Sequence, residues 1–225
     1  MARRIAAVAF DAYGTLFDVY SIGATTDRLF PGRGAELAAL WRDKQIEYTR
    51  LRTLCDRYAS FWQCTGDALD YAAARLGLPL DATGRALLLD GYAQLKAFPE
   101  NVEALTQLRA LGLPLAILSN ADPAMLDAAV DAAALRGFFD HLLSADSVRR
   151  FKTAPEVYQL GPDAFGVPAS QILFVSSNGW DIAGASWFGY TTFWVNRGGL
   201  PAERLGTSPA GEGRGLGDVV SFVTA

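Results

Sequence analysis

The sequence contains few of the residues on which metal centres and histidine-based catalysis depend. Its 225 residues include one histidine and two cysteines. The histidine, His141, begins a short predicted strand and matches no motif, which argues against a Ser-His-Asp hydrolase and against a histidine-based metal site. Cys55 and Cys64 lack the spacing of metal ligands, so we interpret them as free thiols in a reducing cytoplasm.

Basic clusters and long apolar runs are also missing. The formal net charge is −4 at pH 7, and no stretch concentrates lysine or arginine, which argues against nucleic acid and against an anionic membrane surface as partners. The apolar run near the start is too short for a signal sequence or a membrane span. A hydrophobic fraction of 51% nevertheless permits a sizeable core. The length fits one large domain, or a core with a smaller inserted domain.

The order of the apolar segments predicts an α/β fold. Residues 5–9 form an uninterrupted apolar run, typical of a strand that is buried on both faces of a parallel sheet. Further strands are predicted at 113–118, 141–144, 172–175 and 190–195, with helical segments between them. This alternation predicts a Rossmann-like core of three layers with a parallel sheet, in which the first strand is central.

A helical segment interrupts the alternation from about residue 21 to residue 94. Within it, one helical face is predicted to carry Leu37, Leu40, Trp41, Lys44 and Tyr48. We interpret the segment as a helical-bundle cap, residues 18–96, inserted into a core of residues 1–17 and 97–225. The stretch from 198 to 217 is rich in Gly, Pro and Ala and is predicted to be a loop.

Polar side chains follow the predicted strands, where ligands bind in parallel α/β sheets. They are Asp11 and Thr15, Ser119 and Asn120, and Ser176, Asn178 and Asp181. Lys152, one of only three lysines, precedes a helix predicted to start at Pro155. Taken singly, these residues have ordinary alternatives as helix caps or surface charges. Arg42 alone reads as a solvated ion-pair partner, and Phe61 and Trp180 alone read as core residues.

Taken together, several stretches resemble a known family. They are Phe10-Asp11-Ala12-Tyr13-Gly14-Thr15-Leu16-Phe17-Asp18, Leu40-Trp41-Arg42, Lys44-Gln45, Leu118-Ser119-Asn120 and Phe174-Val175-Ser176-Ser177-Asn178-Gly179-Trp180-Asp181. They resemble the haloacid dehalogenase superfamily and, within it, the (S)-2-haloacid dehalogenases, over nearly the whole chain. The resemblance implies the haloacid dehalogenase fold and hydrolysis of (S)-2-haloacids to (R)-2-hydroxyacids and halide, through an ester on Asp11.

The alternative within the superfamily is a phosphatase or a phosphonatase. Phosphatases carry a second Asp two positions after the nucleophile to protonate a leaving alkoxide, and Mg²⁺ offsets the phosphate charge. Here that position is Tyr13, and Ser176, Ser177 and Asn178 leave few acids after the fourth strand. A halide leaves without a proton, and an aspartate side chain is ordinarily ionised at pH 7. The residues therefore favour alkyl displacement, with no metal and no other cofactor.

The resemblance implies catalytic roles for Asp11, Thr15, Arg42, Lys152, Tyr158, Ser176, Asn178 and Asp181. Asp11 would attack the α-carbon, Lys152 would hold its carboxylate, and Asp181 would help to activate the water that cleaves the ester. Thr15, Ser176 and Asn178 would position these groups, and Tyr158 is carried over without a defined role.

The resemblance also implies contacts with a small 2-haloacid. Substrate-binding residues would be Ala12, Tyr13, Arg42, Ile46, Phe61, Ser119, Asn120 and Trp180. Ser119, with the backbone N–H groups near Ala12 and Asn120, would hold the substrate carboxylate. Arg42 and Asn120 would hold the halide, and the apolar side chains would surround the rest. Besides substrate, water and halide, the expected partner is a second copy of the chain in a homodimer.

The sequence departs from this family's pattern at three places. Asp43 stands where a neutral residue is usual, Arg50 replaces a frequent Trp, and Ala121-Asp122 replaces a glycine followed by a small residue. We expect these departures to affect substrate range and activity level more than reaction type.

Overall fold

A computed structural model describes residues 5–225 and shows a parallel sheet. Its strands are β1 (Ala7–Phe10), β2 (Leu115–Ser119), β3 (His141–Ser144), β4 (Ile172–Ser176), β5 (Thr191–Val195) and β6 (Gly211–Gly213). They lie in the order β3-β2-β1-β4-β5-β6, and each neighbouring pair is parallel. The predicted central position of β1 is therefore confirmed, and every residue of β1 is buried.

Helices surround the sheet and form a separate cluster beside it. They are α1 (Gly23–Leu29), α2 (Gly34–Leu54), α3 (Phe61–Arg75), α4 (Ala82–Ala93), α5 (Asn101–Ala110), α6 (Pro123–Ala132), α7 (Pro155–Phe165), α8 (Gly179–Phe188) and α9 (Leu216–Thr224). Helices α1 to α4 follow β1 and pack on one another, whereas α6 to α9 contact the strands. Within residues 5–225, no helix combines the length and the apolar character that crossing a membrane requires.

The chain crosses between sheet and helical cluster at two adjacent points. Phe17 forms an antiparallel bridge with Ala97. The N–H of Asp18 donates to the carbonyl of Lys96 at 2.8 Å, and the N–H of Phe98 donates to the carbonyl of Leu16 at 3.1 Å. We propose that this pair of segments divides the cap, 18–96, from the core, 1–17 and 97–225; residues 1–4 lie outside the described residues.

The register of the central strands aligns their carboxyl ends. Ala9 lies beside Ala116 of β2 and Phe174 of β4, so the residues that follow these strands share one edge of the sheet. Beyond β1 the chain turns sharply through Gly14, whose φ of +93° favours glycine. A Cβ there would lie 3.0 Å from the Ser177 hydroxyl. The turn folds Thr15 back towards the end of β1.

The prediction that residues 198–217 form a loop is wrong for the C-terminal part of this range. Residues Gly211–Gly213 form β6 on the edge of the sheet beside β5, and α9 begins at Leu216. A Cβ on Gly211 would lie 2.7 Å from atoms of Phe193 and Phe222. The strand therefore depends on backbone pairing and on the absence of a side chain, which an apolar pattern does not reveal.

The helical face predicted to carry Leu37, Trp41, Lys44 and Tyr48 is only partly buried in α2. Leu37 and Trp41 are buried as expected, but Lys44 and Tyr48 are only half-buried, and the buried stripe continues through Gln45. The Gln45 amide donates to the Thr65 hydroxyl at 2.6 Å and accepts from the Tyr92 hydroxyl at 2.9 Å. Partners on other helices satisfy this polar side chain, so hydrophobicity alone places the face incorrectly.

Candidate active site

Asp11 lies directly after β1 and faces a buried ammonium group. The Nζ atom of Lys152 is 2.9 Å from Oδ1 of Asp11 and 2.9 Å from Oδ2 of Asp181. The side chain of Lys152 is 1% exposed. Burial alone would lower the pKa of Lys152, but the two carboxylates outweigh it and raise that pKa. The lysine therefore stays charged and bridges the two acids.

The second oxygen of Asp11 accepts hydrogen bonds from the loop after β1 and from the loop after β4. The Thr15 hydroxyl donates to Oδ2 at 3.0 Å and the Asn178 amide at 2.9 Å, whereas the Ser176 hydroxyl is 3.5 Å away. The Ser176 hydroxyl also accepts from the backbone N–H of Asn178 at 3.1 Å, which orders the second loop. These donors fix the carboxylate in one orientation.

Asn178 occupies the point where two acceptor oxygens converge. Its Nδ2 atom lies 2.9 Å from Oδ2 of Asp11 and 3.2 Å from the backbone carbonyl of Tyr13. Both neighbours are acceptors, so the amide must present its N–H₂ group to them. Carboxylate and carbonyl oxygens are ligands that Mg²⁺ prefers, and here an uncharged donor satisfies the pair.

Asp181 is held by the hydroxyl group of Tyr158 as well as by Lys152. The Tyr158 hydroxyl donates to Oδ1 of Asp181 at 2.7 Å, and Asp181 is fully buried. Burial raises the pKa of Asp181, although the charge of Lys152 opposes this effect. The pKa of Tyr158 is also raised, mainly by burial and secondly by the neighbouring charge of Asp181. Gly184 permits this approach, because a Cβ there would lie 2.6 Å from the Tyr158 hydroxyl.

These charges adjoin a small enclosed cavity of about 20 Å³ between the cap and the end of the sheet. It is lined by Asp11, Tyr13, Arg42, Ile46, Thr49, Phe61, Ser119, Asn120, Asn178 and Trp180. The core supplies the polar groups at the strand ends together with Tyr13 and Trp180, and α2 and α3 of the cap supply Arg42, Ile46, Thr49 and Phe61. The structure thus brings most of the predicted substrate-binding residues around Asp11.

Arg42 reaches this cavity from α2. Its guanidinium donates to the Gln45 amide oxygen at 2.7 Å and contacts the Tyr13 carbonyl at 3.4 Å. Within residues 5–225, no carboxylate lies within salt-bridge distance of Arg42. A half-buried cation with only neutral partners is suited to bind an anion.

The opposite part of the cavity contains Ser119 and Asn120 at the end of β2. Asn120 accepts a hydrogen bond from the backbone N–H of Lys152 at 2.8 Å, which ties this loop to the lysine. The methyl group of Ala12 is buried and does not line the cavity. Any contact between Ala12 and a substrate must therefore use its backbone N–H, as the sequence prediction requires.

Aromatic rings close the apolar side. The ring of Tyr13 stacks on that of Tyr92, with centroids 5.7 Å apart, and contacts Phe61 at 5.8 Å. Burial raises the pKa of Tyr13, and its hydroxyl has no hydrogen-bond partner within residues 5–225. Tyr13 is therefore neutral and is not suited to act as a general acid here. Trp180 and Ile46 complete this wall.

Sequence reasoning missed several residues that hold the site together. Thr49 lines the cavity, and the backbone N–H of Ser177 donates to the Thr15 hydroxyl at 2.8 Å. Arg197, after β5, donates to the backbone carbonyl of Thr15 at 3.0 Å while its other nitrogen binds Glu100. None of these contacts leaves a local pattern in the sequence, because each joins segments that are far apart along the chain.

Asp122 links the cap to the core beside this cavity. Its carboxylate accepts from the backbone N–H groups of Phe61 and Trp62 at 2.8 and 2.9 Å. These N–H groups begin α3, whose own cap, Ser60, accepts from Gln63. Asp122 thereby ties the start of a cap helix, including the cavity residue Phe61, to the loop that carries Asn120.

We expect Asp122→Ala and Ser60→Ala to lower the free energy of unfolding by a similar amount, roughly 0.5–2 kcal/mol each. Both remove a group that satisfies the same helix end. Only Asp122→Ala releases Phe61 from the core, so it alone should raise KM, which steady-state kinetics and urea unfolding of both variants would measure. Equal KM values for the two variants would contradict a positioning role for Asp122.

Comparison with known proteins places this arrangement in a family. Residues 5–189 match the haloacid dehalogenase-like hydrolases. An (S)-2-haloacid dehalogenase of Pseudomonas sp. (strain YL) is 50% identical over 222 residues, which cover 98% of this chain and 96% of the relative. A crystal structure of an L-2-haloacid dehalogenase has a TM-score of 0.97 at 58% identity, covering 99% of this chain and 100% of that one.

A second solved structure carries a reaction-related group. It is an L-2-haloacid dehalogenase from Xanthobacter autotrophicus with chloropropionic acid covalently bound, and it matches with a TM-score of 0.91 at 38% identity, covering 98% and 99% of the two chains. The fold, a Rossmann-like parallel sheet with polar side chains at its carboxyl edge and helices around it, is that of a haloacid dehalogenase-like hydrolase. The chain belongs to the haloacid dehalogenase-like hydrolases, which confirms the predicted family and fold class.

Proposed function

We propose that this enzyme hydrolyses (S)-2-haloacids to (R)-2-hydroxyacids and halide through an ester on Asp11. The observation that carries the proposal is the buried Asp11–Lys152–Asp181 cluster beside a cavity that Arg42 lines, an arginine with no carboxylate partner in residues 5–225. A buried ionised carboxylate can attack carbon without a base, and the cation is placed to bind an anion. The full-length relatives of this family carry the same activity in their names.

The first step is displacement at the α-carbon. Among the described residues, Oδ1 of Asp11 accepts a hydrogen bond only from Lys152, whereas Oδ2 accepts up to three. We therefore assign the attack to Oδ1, which forms a bond to the α-carbon as the carbon–halogen bond breaks and its electron pair leaves with the halide. Ser119 and neighbouring backbone N–H groups would hold the substrate carboxylate, and Arg42 with Asn120 would hold the halide.

The second step is hydrolysis of the ester at the side-chain carbon of Asp11. Water adds to that carbon and forms a tetrahedral intermediate. The negative charge of this intermediate develops on Oδ2, which already faces the Thr15 hydroxyl and the Asn178 amide. Asp181, whose pKa burial raises, takes the proton from the water. Collapse of the intermediate breaks the bond between the carboxyl carbon and Oδ1 of Asp11, so Oδ1 leaves on the α-carbon, takes up a proton and becomes the hydroxyl group of the product. The oxygen from water replaces it in the regenerated Asp11. One proton is released overall with the halide.

The structure offers little support for the phosphatase alternative. Where such an enzyme needs an acid for its leaving group, the buried Tyr13 has a raised pKa, so it does not readily give up a proton. The convergent oxygens of Asp11 and Tyr13 are satisfied by the Asn178 amide. The family members reported above favour dehalogenation over phosphoryl transfer.

With racemic 2-chloropropionate, we expect conversion to stop near one half, leaving (R)-substrate and (R)-lactate. Displacement inverts the α-carbon once, and cleavage at the carboxyl carbon of Asp11 leaves that centre untouched. The other enantiomer would misplace either the carboxylate or the halogen, which lowers its rate by orders of magnitude when a polar contact is lost in a desolvated site. Chiral chromatography of substrate and product measures the result.

Phosphate release from p-nitrophenyl phosphate provides the control for this reaction. We expect none above background, and we expect prior dialysis against EDTA to leave dehalogenation unchanged. Retention of configuration, equal use of both enantiomers, or activity that requires Mg²⁺ would each contradict the proposed arrangement of groups.

We also propose a homodimer in the cytoplasm. Leu51 and Leu54 on α2 are exposed, and a second copy of the chain would cover such apolar surface. Cys55 and Cys64 are free thiols in the structure, which suits a reducing compartment. Analytical ultracentrifugation across a dilution series tests the association.

A further inference from the structure

Arg50 continues the row of α2 residues that faces the active site. Arg42, Ile46 and Arg50 are four residues apart and therefore share one face of the helix. The first two line the enclosed cavity, and Arg50 lies one turn beyond it. Its guanidinium carbon is 4.7 Å from the centroid of the Trp180 ring, on core helix α8. This cation–π contact joins cap and core at the edge of the cavity.

The enclosed cavity is too small for a substrate in this conformation. Its volume of about 20 Å³ is enough for about one water molecule. Two open cavities lie outside it, one of about 430 Å³ that includes Lys152 and one of about 400 Å³ that includes Trp180. Arg50 lines both open cavities and not the enclosed one. Trp180 lines the enclosed cavity and one of the open ones, so the seam at which Arg50 and Trp180 meet lies on the boundary between the site and the open cavities.

The two open cavities beside this seam carry different charges. Within residues 5–225, no carboxylate lies within salt-bridge distance of Arg50, whereas Arg150 in the larger cavity is paired with Asp56 and Glu156. Burial lowers the pKa of Arg50, and the negative charge of Glu203 opposes this effect. The smaller cavity, which shares Ile46 and Trp180 with the enclosed one, contains two acids, Asp43 and Glu47, of which Glu47 is paired with Lys44. The larger cavity shares no lining residue with the enclosed one, but it has Arg50 and Lys152, the partner of Asp11, on its wall and is thus the more favourable route for an anion.

We propose that Arg50 is the gate of the active site: its stack on Trp180 closes the seam, and its charge draws the substrate carboxylate into the larger cavity. This inference rests on the proposed function, because it assumes an anionic substrate. Arg50 acts on access to the cavity and on exclusion of water from it, and it forms no bond with the reacting carbon. The two effects depend on different properties of one side chain, so substitutions separate them.

Three substitutions divide charge from stacking. Arg50→Lys keeps the charge and loses the planar stack, Arg50→Phe keeps a ring against Trp180 and loses the charge, and Arg50→Gln loses both. Steady-state kinetics with (S)-2-chloropropionate at several ionic strengths measure the charge effect in kcat/KM. The value of kcat at saturating substrate measures closure of the seam.

Without the charge, kcat/KM at low salt should fall roughly 3- to 10-fold and become nearly independent of ionic strength. We expect this for the Phe and Gln variants, whereas the Lys variant keeps the salt dependence of the parent enzyme. Without the stack, kcat should fall about 2- to 5-fold in the Lys and Gln variants, because water enters the site. The Phe variant should keep the parent kcat.

Arg28→Gln is the matched control. Arg28 is an exposed residue of α1 whose side chain contacts Thr25 and lines neither open cavity. Its replacement changes the net charge by the same amount, and we expect no change in kcat/KM. An Arg50→Gln enzyme with the salt dependence and kcat of this control would overturn the gate. If the parent enzyme itself releases no halide, the proposed function fails instead, so the two failures are distinguishable.

Discussion

Replacing Asp11 by asparagine is expected to abolish halide release while the protein remains folded. The amide has nearly the shape of the carboxylate and can still accept a hydrogen bond from Lys152, which keeps Asp181 as its ionic partner. It lacks the negative charge that displacement of a halide requires, so kcat should fall by at least about 10⁴-fold. A halide assay measures the loss, and circular dichroism with thermal unfolding checks the fold.

A single turnover in heavy-oxygen water tests the same residue in the parent enzyme. With enzyme in excess, the label should enter the side chain of Asp11 and not the hydroxyacid, because water attacks the carboxyl carbon of the ester. Mass spectrometry of the peptide that contains Asp11 detects it. Label that appears first in the product would mean that water attacks the α-carbon directly and that Asp11 is not the nucleophile.

The sheet and the residues at its edge could be predicted from the sequence, for one physical reason. A strand that is buried on both faces reads as a continuous apolar run, as in β1, and the polar residue that ends the run marks the edge of the sheet. This pattern indicates Asp11, Ser119 and Ser176, and in the structure all three lie at the carboxyl edge of the sheet, where Ser119 lines the same cavity as Asp11 and the Ser176 hydroxyl is 3.5 Å from Asp11. The family comparison confirms the fold, and the catalytic roles of the residues stay predictions.

The contacts that position the site could not be predicted in this way. Gln45 is buried in α2 although it is polar, because Thr65 and Tyr92 satisfy its amide. Asp122 reads as the cap of α6, yet its side chain binds the start of α3. Such bonds join segments distant in sequence, and the residue types involved are common on any surface. Only the folded arrangement distinguishes them from solvated side chains.

The second large effect is expected from Lys152→Met, which removes the cation between two buried acids. Asp11 and Asp181 would then face each other without a counterion, and breaking such a pair lowers the free energy of unfolding by roughly 3–5 kcal/mol. Burial raises the pKa of Asp181, and the variant lacks the charge of Lys152 that opposes this effect. We expect dehalogenation to fall by about 10³-fold or more, because Asp11 loses the cation that holds its attacking oxygen and Asp181 becomes a poorer proton acceptor.

Lys44→Met is the matched control for this variant. Lys44 pairs with the exposed Glu47 and its ammonium lies 4.4 Å from the centroid of the Tyr71 ring; such contacts near the surface contribute about 1 kcal/mol or less each. The control should therefore resemble the parent enzyme in halide release and in urea unfolding. A Lys152→Met enzyme with the activity and stability of the Lys44→Met enzyme would show that the buried bridge is neither catalytic nor stabilising.

The alkaline stability of the parent and the Lys152→Met protein should differ in slope. The folded-state pKa of Lys152 lies above the ordinary value of 10.5, since Asp11 and Asp181 outweigh the effect of burial. Below pH 10.5 the lysine is protonated in both the folded and the unfolded chain, so its contribution is fully present. As the pH rises further, the unfolded chain loses this proton while the folded chain keeps it, and the free energy of unfolding falls by up to about 1.4 kcal/mol per pH unit. Lys152→Met lacks this loss, so the difference in the free energy of unfolding between the parent and the variant should become smaller above pH 10.5. Urea unfolding of both proteins from pH 9 to 12 measures this difference. Parallel curves would mean that the pKa of Lys152 is the same in the folded and the unfolded chain.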